Sequence, residues 1–150
     1  MLSDNIKAKG TLTLVLTDEQ GNVKTQDEHN LVVSAGLAYI ASRMKDATAT
    51  AMSHMAVGTG TTAAAAGQTA LVTESARVAL TSTTIVTTNV SNDAVQYVAT
   101  FNPGTATAAI TEAGIFNAAS AGTMLARVAF SVINKGALDT LTITWKVTVA

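Results

Sequence analysis

The chain has 150 residues, which fits one domain with a core large enough to fold without a metal or a cross-link. It contains no cysteine, which excludes disulfide frameworks, zinc–thiolate sites and thiol nucleophiles. A formal net charge of −1 leaves no basic excess for a phosphate backbone, and no apolar run approaches the ~20 residues of a membrane span.

Taken in chain order, Met1–Gly10 carries Asp4, Lys7 and Lys9 and has no apolar leader core. Thr11–Thr17 then alternates, with Leu12, Leu14 and Leu16 on one face, the period-two signature of a half-buried strand. Asp18-Glu19-Gln20-Gly21-Asn22 is turn chemistry. It joins that strand to Val23–Val33, giving an N-terminal β-hairpin over about residues 10–33. The second strand runs through Lys24-Thr25-Gln26-Asp27-Glu28-His29-Asn30. It is too polar to sit wholly in a core and is available to reach toward a partner.

A short helix is expected over Ser34–Met44, with Ser34 as N-cap and Leu37, Ile40, Ala41 and Met44 at helical spacing. Arg43 and Lys45 suit the negative end of its dipole. Short strands are expected at Met52–Val57, Glu74–Leu80, Thr84–Asn89 and Ile110–Asn117. Val95, Tyr97, Ala99 and Phe101 line one face of another strand. Met124, Ala126, Val128, Phe130 and Val132 line a long one.

Thr140–Val149 is the clearest strand, with apolar residues at every odd position and Thr or Lys at every even one. Turns fall at Ser91–Asp93, Ala118–Gly122 and Asn134–Ala137. The low-complexity stretches Thr59–Ala66 and Gly104–Ala109 read as loops. The pattern implies an all-β chain: a single antiparallel β-sandwich domain of about eight to ten strands with one short helix. Its expected core is Trp145, Ile143, Leu141, Phe130, Val128, Phe101, Tyr97, Leu14 and Phe116.

Charged residues make up only 13% of the chain, against about 25% in ordinary soluble domains. So few charges do little to keep copies apart, and the surface reads as one covered in an assembly. Catalytic candidates are sparse. His29 and His54 lie on different strands and read as structural histidines. Most carboxylates, Asp4, Asp18 and Asp93 among them, fall in turns or termini. Glu74 and Glu112 instead lie among apolar residues at a strand edge, and a buried carboxylate needs a partner; Arg77 and Arg127 are the candidates. They are read as structural ion pairs, within the subunit or across an interface. The competing reading is a carbohydrate hydrolase using Glu74 or Glu112. A carbohydrate-binding receptor module is a third, with few aromatics to serve it. Val57–Ala63 matches a dinucleotide-binding glycine pattern, but the next element along the chain is another strand and no helix. Its glycines read as a sharp turn at the sheet edge. No cofactor, metal or catalytic residue is assigned.

Two motifs carry a resemblance. One is Ser53-His54-Met55-Ala56-Val57-Gly58-Thr59-Gly60 followed by Gly67-Gln68-Thr69-Ala70-Leu71, with Glu74 and Arg77 beyond it. The other is Ile110-Thr111-Glu112-Ala113-Gly114-Ile115-Phe116-Asn117. Together they resemble the N-terminal, virion-attaching module of tail-fibre proteins of contractile-tailed bacteriophages, and small virion proteins of similar length. The resemblance covers about Leu31 to the C-terminus. It implies a structural component of a phage particle, with no catalytic residue, assembled in the host bacterial cytoplasm. With no shaft expected after Ala150, the chain departs from the fibre proteins, which favours a decoration, cement or collar protein on the capsid or neck over a tail-fibre or baseplate adaptor. The expected partners are the major capsid protein or neck and tail proteins, and the chain itself, as a homotrimer by the same resemblance.

Overall fold

The computed structural model describes residues 6–149. Asp4 and the rest of the first five residues of the Met1–Gly10 stretch lie outside the described residues. Nine strands follow one another as β1 (Ala8–Thr17), β2 (Val23–Val32), β3 (His54–Gly58), β4 (Glu74–Ala79), β5 (Ser82–Val86), β6 (Ala94–Phe101), β7 (Ala108–Phe116), β8 (Met124–Lys135) and β9 (Thr140–Val149), with one helix, α1 (Ser34–Lys45), after β2. All strand pairs are antiparallel and form one curled sheet in the order β4-β3-β7-β8-β2-β1-β9-β6-β5.

Two features curl the sheet. β2 pairs with β1 from Val23 to Asn30, then leaves it and pairs with β8 only at Leu31 and Val32. At the other end β4 runs directly into β5. The Leu80 amide donates to Ser53 O (2.9 Å) and the Thr81 amide to Val98 O (2.7 Å), so consecutive residues bond to opposite halves of the sheet. The halves β2-β1-β9-β6-β5 and β8-β7-β3-β4 both contribute to the main core cluster. Leu12, Leu14, Phe101, Leu141, Ile143 and Trp145 come from the first, and Met55, Val57, Ile115, Ala126 and Val128 from the second. In β9 the alternation puts Leu141, Ile143, Trp145 and Val147 inward. The buried Trp145 indole N–H donates to Asn30 Oδ1 at 2.9 Å, tying the middle of β9 to the point where β2 departs.

Several local expectations are corrected. α1 extends to Lys45 and its N-cap is Val33, which makes no side-chain capping bond. Ser34 is not the cap; its amide donates to Ala66 O at 2.8 Å, so the long loop after β3 satisfies the helix start. The helix does not dock through a Leu37–Met44 stripe, since Leu37 is 50% and Met44 84% exposed. It docks through Gly36, where an added Cβ would lie 2.0 Å from Leu125 O. Tyr39 and Ile40 pack beside it. In β8 the inward parity changes near the β7–β8 register shift. Val132 faces out, Ile133 is buried in its place and Phe130 is only part-buried. The expected strand at Thr84–Asn89 is shorter and earlier, Ser82–Val86, because Asp93 accepts from the amides of Thr88, Asn89 and Val90 and folds that segment into a turn. Within the hairpin, β1 is paired to β9 from Ala8 to Thr17.

Candidate functional site

The densest polar construction lies in the β8-β7-β3-β4 half. Glu112 on β7 and Arg127 on β8 are both fully buried and paired, Arg127 Nη2 to Glu112 Oε2 at 2.8 Å. A buried ion pair is stable only if its remaining donors and acceptors are satisfied, and here they are. Glu112 Oε1 accepts from the amides of Gly60 (3.0 Å) and Thr73 (2.7 Å). Oε2 accepts from the Val72 amide (3.0 Å) and from Arg127 Nε (3.1 Å) as well as Nη2. Arg127 donates onward to Gln68 Oε1 and Thr62 O, each at 2.9 Å. Thr111 Oγ1 adds a bond to Gly60 O at 2.9 Å.

The pair thus fastens both ends and the middle of the loop between β3 and β4. Burial, the largest single influence, pushes the Glu112 carboxyl upward. The amides of Thr73 and Val72, the Arg127 guanidinium and the Gly60 amide together outweigh it, and the carboxyl titrates below its usual range.

This network gives the loop glycines their reason. An added Cβ at Gly60 would lie 2.5 Å from Glu112 Oε1, and one at Gly58 would lie 2.6 Å from that oxygen and 2.2 Å from Thr73 O. Neither residue has a positive φ. The sharp-turn expectation is therefore corrected: these glycines let backbone approach a carboxylate. A strand, β4, follows the loop, with no helix presented to a phosphate. Leu71, Phe116 and Met124 form a small apolar cluster beneath the loop with Val33 and Ala56.

Glu74 and Arg77 form the second pair, Arg77 Nη2 to Glu74 Oε1 at 2.7 Å, but only the arginine is buried. Glu74 stands at the exposed start of the edge strand β4. Arg77 lies over the Phe116 ring, 3.8 Å from its centroid, and its Nη1 donates to Ala118 O (3.0 Å) and Ala121 O (2.8 Å). It holds the β7–β8 turn against the sheet edge. The two ion pairs are separate constructions, each with a single carboxylate held by an arginine.

The histidines lie apart. His54 Nδ1 is 2.8 Å from Ser53 Oγ, and His29 is on β2. Among the described residues no group of His, Cys, Asp or Glu is placed to hold a metal ion, and no helix is long and apolar enough to cross a membrane.

One feature escaped sequence reasoning. An apolar cleft of about 460 Å³ opens between α1 and the β5-β6-β9 end of the sheet, lined by Ile40, Met52, Ile85, Val95, Tyr97 and Val147 among others. Burial, and secondarily Tyr39, push the Tyr97 hydroxyl up to about 12. The sequence signal for the cleft was faint: Ile85 and Val95 lie opposite each other on the face of β5 and β6 that lines it. No protein-family model, no curated protein and no solved structure matches the chain.

Proposed function

We propose that this chain is a structural, non-catalytic protein of a tailed bacteriophage particle, a decoration, cement or collar protein attached to the capsid or neck. One observation carries the reading. Of the residues on which the resemblance rests, Gly58, Gly60, Gln68, Leu71, Glu112, Gly114 and Phe116 gather around one sealed ion pair and the apolar cluster beneath it. They are scaffold residues, and a motif of scaffold residues marks a module that is built to be rigid.

Further support is chemical. Glu112 has every oxygen committed to donors, Glu74 is held by Arg77, and Trp145, Phe101 and Phe116 are buried, so none of them is presented to a sugar. The low charge content suits a surface covered by neighbouring subunits. Self-association, as a cyclic trimer, belongs to the same reading. A tail-fibre or baseplate adaptor is the second reading, favoured by the same motifs.

The test is immunogold electron microscopy of intact particles with antibody raised against the purified protein. Label on heads or necks supports the first reading and label on tail tips or fibres the second. Unlabelled particles, with the protein present in the lysate, would refute both.

A further inference from the structure

The sheet has two ends, and they are defended differently. β4 carries Glu74 and Arg77 and is irregular where its register with β3 shifts at Val57/Gly58, features that discourage a foreign strand from pairing. β5 has no such protection. From Val78 to Asn92 the chain has no ionisable side chain and no proline. Ser82, Thr83, Thr84 and Ile85 are all exposed, Ile85 by 60%. The pairing with β6 places Thr83 opposite Tyr97 and Ile85 opposite Val95, so both point to the inner side of the sheet. There they border the 460 Å³ apolar cleft, whose far wall is formed by α1, Met52 and Leu125.

We propose that β5 is an interface: two copies of the chain pair antiparallel through it across a two-fold axis centred near Thr84. This rests on the self-association of the functional reading and goes beyond its trimer: a two-fold contact is isologous and cannot close a three-membered ring, so it is a second, separate contact. The occupant is a second copy because the patch is complementary to itself. A two-fold contact requires the projecting group and its receptor to lie on one surface. Here the projecting Ile85 and the apolar cleft beside it do so. Centring on Thr84 sets Thr83 against the partner subunit's Ile85, and Ser82 against the partner subunit's Val86. Every side chain in the ladder is then hydroxylic or β-branched, and no charge meets a like charge. Each Ile85 comes to lie over the cleft of the other copy. A ladder of five residues alone falls short of the ~1,000 Å² a stable interface needs, and the two clefts supply the additional apolar burial. The contact is isologous, so it yields dimers, or pairs of rings where a three-fold contact also forms.

The absence of native cysteine gives a clean test. Thr84→Cys, with Gln20→Cys in the exposed β1–β2 turn as control, is exposed to a mild oxidant at micromolar protein. The expected result is that Thr84→Cys converts mostly to covalent dimer, while Gln20→Cys stays at the collisional background. Ser82→Cys mixed with Val86→Cys should cross-link more than either alone. Ile85→Lys, checked for native circular dichroism, should shift light-scattering mass toward half. Equal cross-linking of Thr84→Cys and Gln20→Cys would overturn the β5 contact. If light scattering still shows an oligomer in that case, self-association stands and its contact lies elsewhere. A monomer at every concentration would remove both.

Discussion

Replacing Glu112 by Gln is the sharpest perturbation of the network. The side chain keeps its shape but loses its charge and exchanges one acceptor oxygen for an NH2 donor. The carboxylate accepts five hydrogen bonds, two at Oε1 and three at Oε2. If the amide nitrogen takes the Oε1 position, the amides of Gly60 and Thr73 face a donor. If it takes the Oε2 position, the Val72 amide and Arg127 do. In either orientation about two buried donors lose their acceptor, at roughly 1–3 kcal/mol each. Arg127 is also left without a counter-charge at full burial, for which breaking a buried pair costs about 3–5 kcal/mol. These contributions overlap, so the expected loss is about 5 kcal/mol, a large share of the 5–15 kcal/mol typical of a domain.

Urea unfolding followed by the fluorescence of Trp145, the single tryptophan, reads it directly. With a slope of about 1–3 kcal/mol/M the midpoint should fall by roughly 2 M or more. Replacing both partners by apolar residues should not restore stability, because the amides of Gly60, Val72 and Thr73 would still be orphaned. A loss below about 1 kcal/mol for E112Q would refute the assignment of this pair as the fastening of the loop.

Gly60→Ala should destabilise by about 1–3 kcal/mol in thermal melts, since its Cβ would meet a carboxylate that five donors hold in place. Gly36→Ala should separate α1 from β8, because its Cβ would fall on the Leu125 carbonyl, and hydrogen exchange should rise across Ser34–Lys45 with the sheet unchanged. Trp145→Phe removes the bond to Asn30 and part of the core, for an expected loss of about 2–4 kcal/mol by circular dichroism. A folded-state carboxyl below its unfolded value gives stability that is full above the unfolded value and lost as pH falls through the folded one. Wild type should therefore lose melting temperature below about pH 4.5, and Glu112→Gln should lose less over the same range. Asp18, held mainly by the Asn22 side chain, Asp46, held mainly by Lys45, and Asp93, held mainly by the Val90 amide, shift the same way. The difference between the two proteins, and not the absolute slope, isolates Glu112.

Period-two patterning made β1, β6 and β9 legible because each buries one face and shows threonine or other polar residues on the other. β8 was less legible: Met124 to Val128 are buried on both faces, so alternation carries no information there. The helix misled for a related reason. Its docking residue is Gly36, which has no side chain to register in an apolar pattern, whereas Leu37 and Met44 fit the pattern and face solvent. Glu112 and Arg127 could be singled out as charges in apolar strands. Their joint hold on a loop about 40 to 65 residues distant in sequence could not, because it depends on β3, β7 and β8 being neighbours. The unprotected β5 edge was visible only as a run without charge, since which strand ends a sheet is a property of the assembled topology.

The most direct measurement of a structural role in the virion is quantitative mass spectrometry of gradient-purified phage particles, with isotope-labelled standards for this chain and for the major capsid protein. The expected result is the chain in the particle at a fixed ratio: hundreds of copies for a capsid decoration, or about a dozen for a collar. Its absence from purified particles, with abundant protein left in the soluble lysate, would contradict that role.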